Sequence, residues 1–263
     1  MKTALEIYKH LPKTNCGKCG TTSCFGFAAK LATSQAKSDD CPELTKAARE
    51  TLREEDGAER KTPGNIWAQT LEFLRPSIRA LDFPKIAVLF GATLIGPGKL
   101  QLPFLNETYV VTKEKIVDSS GKEPISWISI LIYNHLCMPG PPAPAGEWIT
   151  FSSVPASHAK DKAWAGHVEA IIADHFTGNV AGIRNACERF GGKQAAIPGN
   201  HDAAYEFRIF PHYPMLLLFY DAVAEENFPA QCKLLLDKTA PRYLDIESIV
   251  VLGEEFAGRL VGS

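Results

Sequence analysis

The spacing Cys16-x2-Cys19-x4-Cys24-x16-Cys41 constrains this chain more than any other feature. Three thiols fall within nine residues on a segment that carries Gly17 and Gly20, and the fourth returns at Cys41 beside Pro42. Glycine permits the left-handed or tightly turned backbone that aims several sulfurs at one centre, and it lets backbone N–H groups approach them. From Pro12 to Cys24 there is no large apolar side chain, so burial alone does not account for the cysteines. Structural zinc sites usually present two paired knuckles, whereas here three cysteines group together and one stands apart. The pattern favours a four-iron, four-sulfur cube over zinc, which stays the competing metal. Four thiolates on a cube carry net negative charge, which Lys13, Lys18 and the first turn of a helix starting near Cys24 would offset.

The rest of the composition fits a globular protein. Of 263 residues, 45% are hydrophobic and 22% charged, which excludes disorder and low-complexity architectures. A formal net charge of -2 argues against nucleic-acid or membrane-surface binding driven by bulk charge. The start MKTALEIYKHLPK interleaves charges with apolar residues and offers no export signal. The most apolar stretches, 125–138 and 214–219, fall short of the roughly 18 residues a bilayer crossing needs, so the expected location is the cytoplasm. Four of seven cysteines lie in the first 41 residues, while Cys137, Cys187 and Cys232 stand alone; in a reducing compartment this suggests a metal site, not a disulfide framework.

Charges crowd between Ala48 and Gly64 and end in a Pro-Gly breaker, which divides a cluster domain over 1–60 from a larger domain over 65–263. The small domain is expected to hold short helices over 3–11 and from Thr22 or Ser23 to Ala32, too few apolar residues to fold without a staple. In the large domain, helices are expected over 66–81, 127–138, 160–176, 180–190 and 245–260. Strands are expected over 86–91, 99–112, 147–152, 205–210, 215–222 and 231–236, with an irregular PGPPAPAG run at 139–146. Strands and helices do not alternate as repeated units, so the expected class is α+β: a small helical cluster module followed by a mixed domain.

The run Leu11-Pro12-Lys13-Thr14-Asn15-Cys16-Gly17-x-Cys19-Gly20-x3-Cys24-x2-Phe27-Ala28-x2-Leu31-Ala32, closing at Cys41-Pro42, resembles the [4Fe-4S] domain at the N-terminus of the large subunit of the corrinoid iron-sulfur protein, which works in the anaerobic acetyl-CoA pathway. The resemblance covers residues 5–45 and matches all four ligand positions. It implies a cluster that passes single electrons to an inactive corrinoid cobalt. The remaining residues depart from that family, because about 200 residues do not hold its barrel and corrinoid domain together. Instead, 214–220, 226–230, 234–237 and 243–252 resemble an uncharacterised domain family often fused to this module in anaerobes, which implies C1 or corrinoid-linked metabolism by association.

Other motifs carry less. Gly199-Asn200-His201-Asp202 is similar to a metallophosphoesterase box, but the partner boxes are missing, leaving a polar turn before a strand. The 91–99 glycines have the wrong spacing for a phosphate loop and precede a strand-like segment. His10, His135, His158, His167, His175, His201 and His212 are each expected to be structural or solvated, and no corrinoid-binding Asp-x-His-x-x-Gly occurs. No hydrolase or transferase motif stands out. The expectation is an electron carrier that binds one [4Fe-4S] cluster through Cys16, Cys19, Cys24 and Cys41, with a redox or corrinoid protein as partner. Two alternatives are a corrinoid or other tetrapyrrole held by the large domain, with the cluster as its reductant, and a redox sensor.

Overall fold

The computed structural model describes residues 4–14, 16–19, 21, 23–32, 36–46, 48, 49, 51, 52, 63–138 and 140–262. The chain divides into two compact units, 1–66 and 67–263. The charged stretch expected to separate the domains lies mostly outside the described residues, as do Gly20 and Thr22.

In the first unit, α1 (Ala4–His10) ends at the Leu11-Pro12 step, where proline cannot continue a helix. The second helix, α2 (Cys24–Ala32), opens at Ser23, whose Oγ accepts the Gly26 N–H at 3.0 Å. Ile7, Leu11, Phe27, Ala28, Leu44 and Leu52 form a core together with Cys24 and Cys41. Two of the four cysteines thus sit inside a core of eight buried residues. A core this small is below what usually stabilises a module on its own.

The second unit begins within α3 (Pro63–Ala80), followed by α4 (Phe83–Phe90). The expected strand over 86–91 is a helix. Its apolar run is compatible with either element, but Asp82 accepts the Lys85 N–H at 3.4 Å as N-cap, proline stands in the first turn, and Gly91 ends it at φ 65. A four-stranded antiparallel sheet follows, β1 (Thr93–Gly96), β2 (Lys99–Phe104), β3 (Glu107–Val111) and β4 (Ile116–Val117), in chain order. In β2 the side chains alternate exposed and buried, the signature of one packed face.

The buried helix expected near 127 is α5 (Ser126–Cys137). The expected strand over 147–152 shortens to β5 (Trp148–Ile149) before a 3₁₀ turn at Phe151–Ser153. The helix expected over 160–176 is continuous but changes pitch: α6 (Asp161–Trp164), a π segment Ala165–Glu169, then α7 (Ala170–Phe176). Next come α8 (Val180–Arg189), β6 (Lys193–Gln194), β7 (Ala203–Phe210), β8 (Tyr213–Tyr220), β9 (Gln231–Asp237) and α9 (Ile246–Val261). As expected, Asp245 caps α9, accepting the Ser248 N–H at 2.7 Å.

The second sheet is antiparallel in the order β5-β9-β8-β7-β6. Its centre, β8, is buried on both faces, which explains why YPMLLLFY shows no polar alternation. On one face Met215, Leu217 and Phe219 join the main core with Phe190, Phe207 and Phe256; on the other, Leu216 and Leu218 meet Ala204 and are covered by Trp148 and Ile197. Each fully buried side chain of this size contributes about 1.5–3 kcal/mol. The fold is α+β, with helices and antiparallel sheets segregated along the chain.

Candidate metal centre

The four cysteines differ in surroundings. Cys16 is exposed, Cys19 half-buried, and Cys24 and Cys41 buried. Gly17 takes φ 74, the left-handed turn that only glycine adopts without strain, and Lys13 just before the loop takes φ 59, its ammonium 5.5 Å over the Tyr8 ring. The loop therefore bends at both sides of Cys16.

Hydrogen bonds favour the ionised thiol at the exposed end of the set. The Lys18 backbone N–H and the Thr14 hydroxyl hold the Cys16 thiol below its ordinary pKa. At Cys41 burial dominates and pushes the thiol up; the Glu43 N–H opposes this, and negative charge at Cys19, Cys24 and Cys16 adds to the rise. The Cys19 Sγ lies 3.0 Å from Thr21 Oγ1, and that hydroxyl is also 3.2 Å from the Ser23 carbonyl. With the Thr21 hydroxyl donating to that carbonyl, the Cys19 thiol is the donor to Thr21 Oγ1.

Two contacts bring the fourth cysteine to the loop. Lys18 Nζ pairs with Glu43 Oε1 at 2.5 Å, joining the three-cysteine loop to the Cys41-Pro42-Glu43 corner. Arg49 Nη2 donates to the Cys41 carbonyl at 2.9 Å and so anchors the backbone there. Sequence spacing alone does not indicate either contact.

Among the described residues, no three Cys, His, Asp or Glu side chains converge as ligands of a single metal ion. Four ligands of one zinc stand about 2.3 Å from a common point. Four thiols are the donor set of an iron-sulfur cluster as well as of structural zinc.

The histidines are dispersed. His135 is wholly buried, His212 Nδ1 lies 2.9 Å from the Leu89 carbonyl, and His167 pairs with Glu254 at 3.2 Å on the surface. The 199–202 turn is a backbone fastening: Asp202 Oδ2 accepts the Asp221 N–H at 2.7 Å, and Arg184 donates to the Asp202 carbonyl at 2.6 Å. Among the described residues, no helix is long and apolar enough to cross a membrane.

Comparison with known proteins divides the chain in the same way. An Fe-S cluster family model (FeS) matches residues 11–43, and the model of a domain of unknown function, DUF3786, matches residues 82–259. The large subunit of the corrinoid/iron-sulfur protein of Moorella thermoacetica is 58% identical over 50 residues, 19% of this chain and 11% of the relative. The gamma subunit of the acetyl-CoA decarbonylase/synthase complex of Methanothermobacter thermautotrophicus is 50% identical over 50 residues, with the same coverage. The corresponding subunit of Methanocaldococcus jannaschii is 34% identical over 109 residues, 40% of this chain and 19% of the relative. The chain thus spans between a tenth and a fifth of the length of these relatives. No solved structure matches.

Proposed function

Because the chain belongs to the DUF3786 family and carries ahead of that domain an Fe-S cluster region similar to proteins of the acetyl-CoA pathway, we propose that it binds one [4Fe-4S] cluster through Cys16, Cys19, Cys24 and Cys41 and serves low-potential single-electron transfer. The observation that carries this reading is the placement of the four thiols. Two lie in the module's own core, one is half-buried, and one reaches solvent.

The cluster, when bound, supplies a one-electron couple; the chain's residues bind and tune it. The buried Cys24 and Cys41 exclude water from their side of the site. The Lys18 N–H at Cys16 and the Glu43 N–H at Cys41 supply donors to sulfur, and such donors stabilise the more reduced, more negative state. Binding requires all four thiols to deprotonate, so loading releases protons and weakens on acidification. The exposed Cys16 marks the side from which a partner approaches. The names of the relatives, a corrinoid/iron-sulfur protein and an acetyl-CoA decarbonylase/synthase complex, support a redox or corrinoid protein as that partner.

Oxygen-free protein tests the reading directly. Expected are a brown colour, four irons per chain, and an electron paramagnetic resonance signal on one-electron reduction. Colourless protein carrying one zinc per chain after anaerobic reconstitution with iron and sulfide overturns it.

A further inference from the structure

Far in sequence from the cysteines, the edge of the five-stranded sheet carries a pocket of about 150 Å³. Its origin is a gap in strand pairing. Short β6 meets β7 only at Tyr205 and Glu206, through Gln194 and Lys193. Further along the same edge, the Leu105 N–H of the β2–β3 turn donates to the Ile209 carbonyl at 2.7 Å. Between these two pairings Phe207 and Arg208 have no strand on that side, and the pocket opens there.

The two sides of this opening differ chemically. Phe190, Phe207 and Ile209 form an apolar floor and are all buried. At the rim stand Lys193, Glu206 and Arg208; Lys193 lies directly opposite Glu206, and Arg208 follows two residues on, so the three share one face. Among the described residues none of the three belongs to an ion pair, and Arg208 spends only one donor, Nη1 to the Pro211 carbonyl at 3.3 Å. Two cations against one carboxylate leave the rim net positive above a hydrophobic base.

We propose that this pocket binds a short apolar carboxylate, its body on the Phe190, Phe207 and Ile209 floor and its carboxylate held by Arg208 and Lys193. A cavity of about 150 Å³ takes a body the size of benzene, and ordinary ligand pockets start near 300 Å³. The part of the occupant that enters the pocket therefore has roughly six to nine non-hydrogen atoms. Guanidinium is the side chain best matched to a carboxylate, through two parallel N–H bonds. Two sources offer this chemistry, a branched-chain fatty acid and a free apolar amino acid, and Glu206 separates them because only the amino acid brings an ammonium group for it.

Titration calorimetry of the full-length protein with 4-methylpentanoate, leucine and 3-methylbutan-1-ol tests the proposal. Saturable binding of either carboxylate is expected, weakened at least tenfold by Arg208→Ala and several-fold by Lys193→Ala, with no binding of the alcohol. Tighter leucine binding that Glu206→Gln abolishes identifies an amino-acid site; tighter 4-methylpentanoate binding identifies a fatty-acid site. Both rim residues are exposed, so the variants are expected to keep the wild-type melting temperature. Absence of saturable binding by both carboxylates up to their solubility limits, equal binding of the alcohol, or affinities indifferent to Arg208→Ala and Lys193→Ala overturns the proposal.

Discussion

The His135 imidazole lies flat against the Phe210 ring, centroids 3.8 Å apart and planes 4° from parallel. Phe90 meets it edge-on at 4.7 Å, and Tyr243 lies 5.5 Å away. Its exposure is 0% and, among the described residues, neither ring nitrogen has a hydrogen-bond partner. A polar group so placed has a cost without a compensating bond.

The cost depends on pH. Burial, and secondarily the neighbouring His212, hold the His135 pKa down to about 3, against about 6.5 in an unfolded chain. The folded form keeps the ring neutral, so its stability is intact above pH 6.5 and falls as pH drops from 6.5 toward 3, by up to about 1.4 kcal/mol per unit. Urea unfolding at pH 7.5 and pH 5 is expected to show a loss of about 2 kcal/mol that His135→Phe removes. An identical loss in that variant would assign the acid sensitivity to other groups.

Asp237 fastens the irregular segment before β5. Its carboxylate accepts the Ala145 N–H at 3.0 Å, the Gly146 N–H at 2.7 Å and the Thr239 N–H at 2.9 Å, as well as the Thr239 hydroxyl. Burial raises its pKa, but the donors of Thr239, Ala145 and Gly146 outweigh burial and leave it lowered. Stability from this group is therefore present above the ordinary carboxylate pKa and lost as pH falls through the depressed one. Asp237→Ala is expected to cost about 1–3 kcal/mol, because it removes the charged acceptor shared by these donors. Hydrogen exchange at Ala145 and Gly146 is expected to quicken more than at β8; uniform quickening would contradict a local clamp.

Gly253 on α9 faces Trp164, and a Cβ there would stand 2.5 Å from the indole Cζ3. Gly→Ala in a helix ordinarily stabilises by about 1 kcal/mol. Here the indole is stacked on Phe151 at 4.4 Å and cannot yield, so Gly253→Ala is expected to destabilise by about 1–3 kcal/mol. A raised melting temperature would refute the close packing.

Cys19→Ala addresses the cluster module. Loading and folding are coupled in a unit with so small a core, so the variant is expected to lose its iron and the helicity of residues 1–66, while 67–263 keep a cooperative melt. Full iron content with unchanged helicity would separate folding from metal.

Where the chain carries local signals, the sequence was sufficient. Pro12, Ser23, Asp245 and Gly191 mark element ends through backbone chemistry that acts within a turn, and the helices of the large domain beyond Lys99 fall close to where periodicity puts them, whereas the strand expected over 99–112 is a hairpin of β2 and β3. The run Ile86–Gly91 misled because a short apolar stretch fits a strand or a buried helix equally, and its cap, Asp82, lies four residues upstream. The π segment at Ala165–Glu169 and the brevity of β5 left no trace in periodicity.

The candidate centre divides in the same way. Cysteine spacing and glycines name the four thiols, because ligands close in sequence are constrained by the loop that carries them. The Lys18–Glu43 pair, the Arg49 bond to Cys41, the His135 cage, the Asp237 clamp and the gap beside Phe207 join residues that only folding brings together. Local sequence determines what depends on a few consecutive torsions. Which polar groups end up buried, paired or left open at a sheet edge depends on packing across the whole chain, and that only the tertiary structure decided.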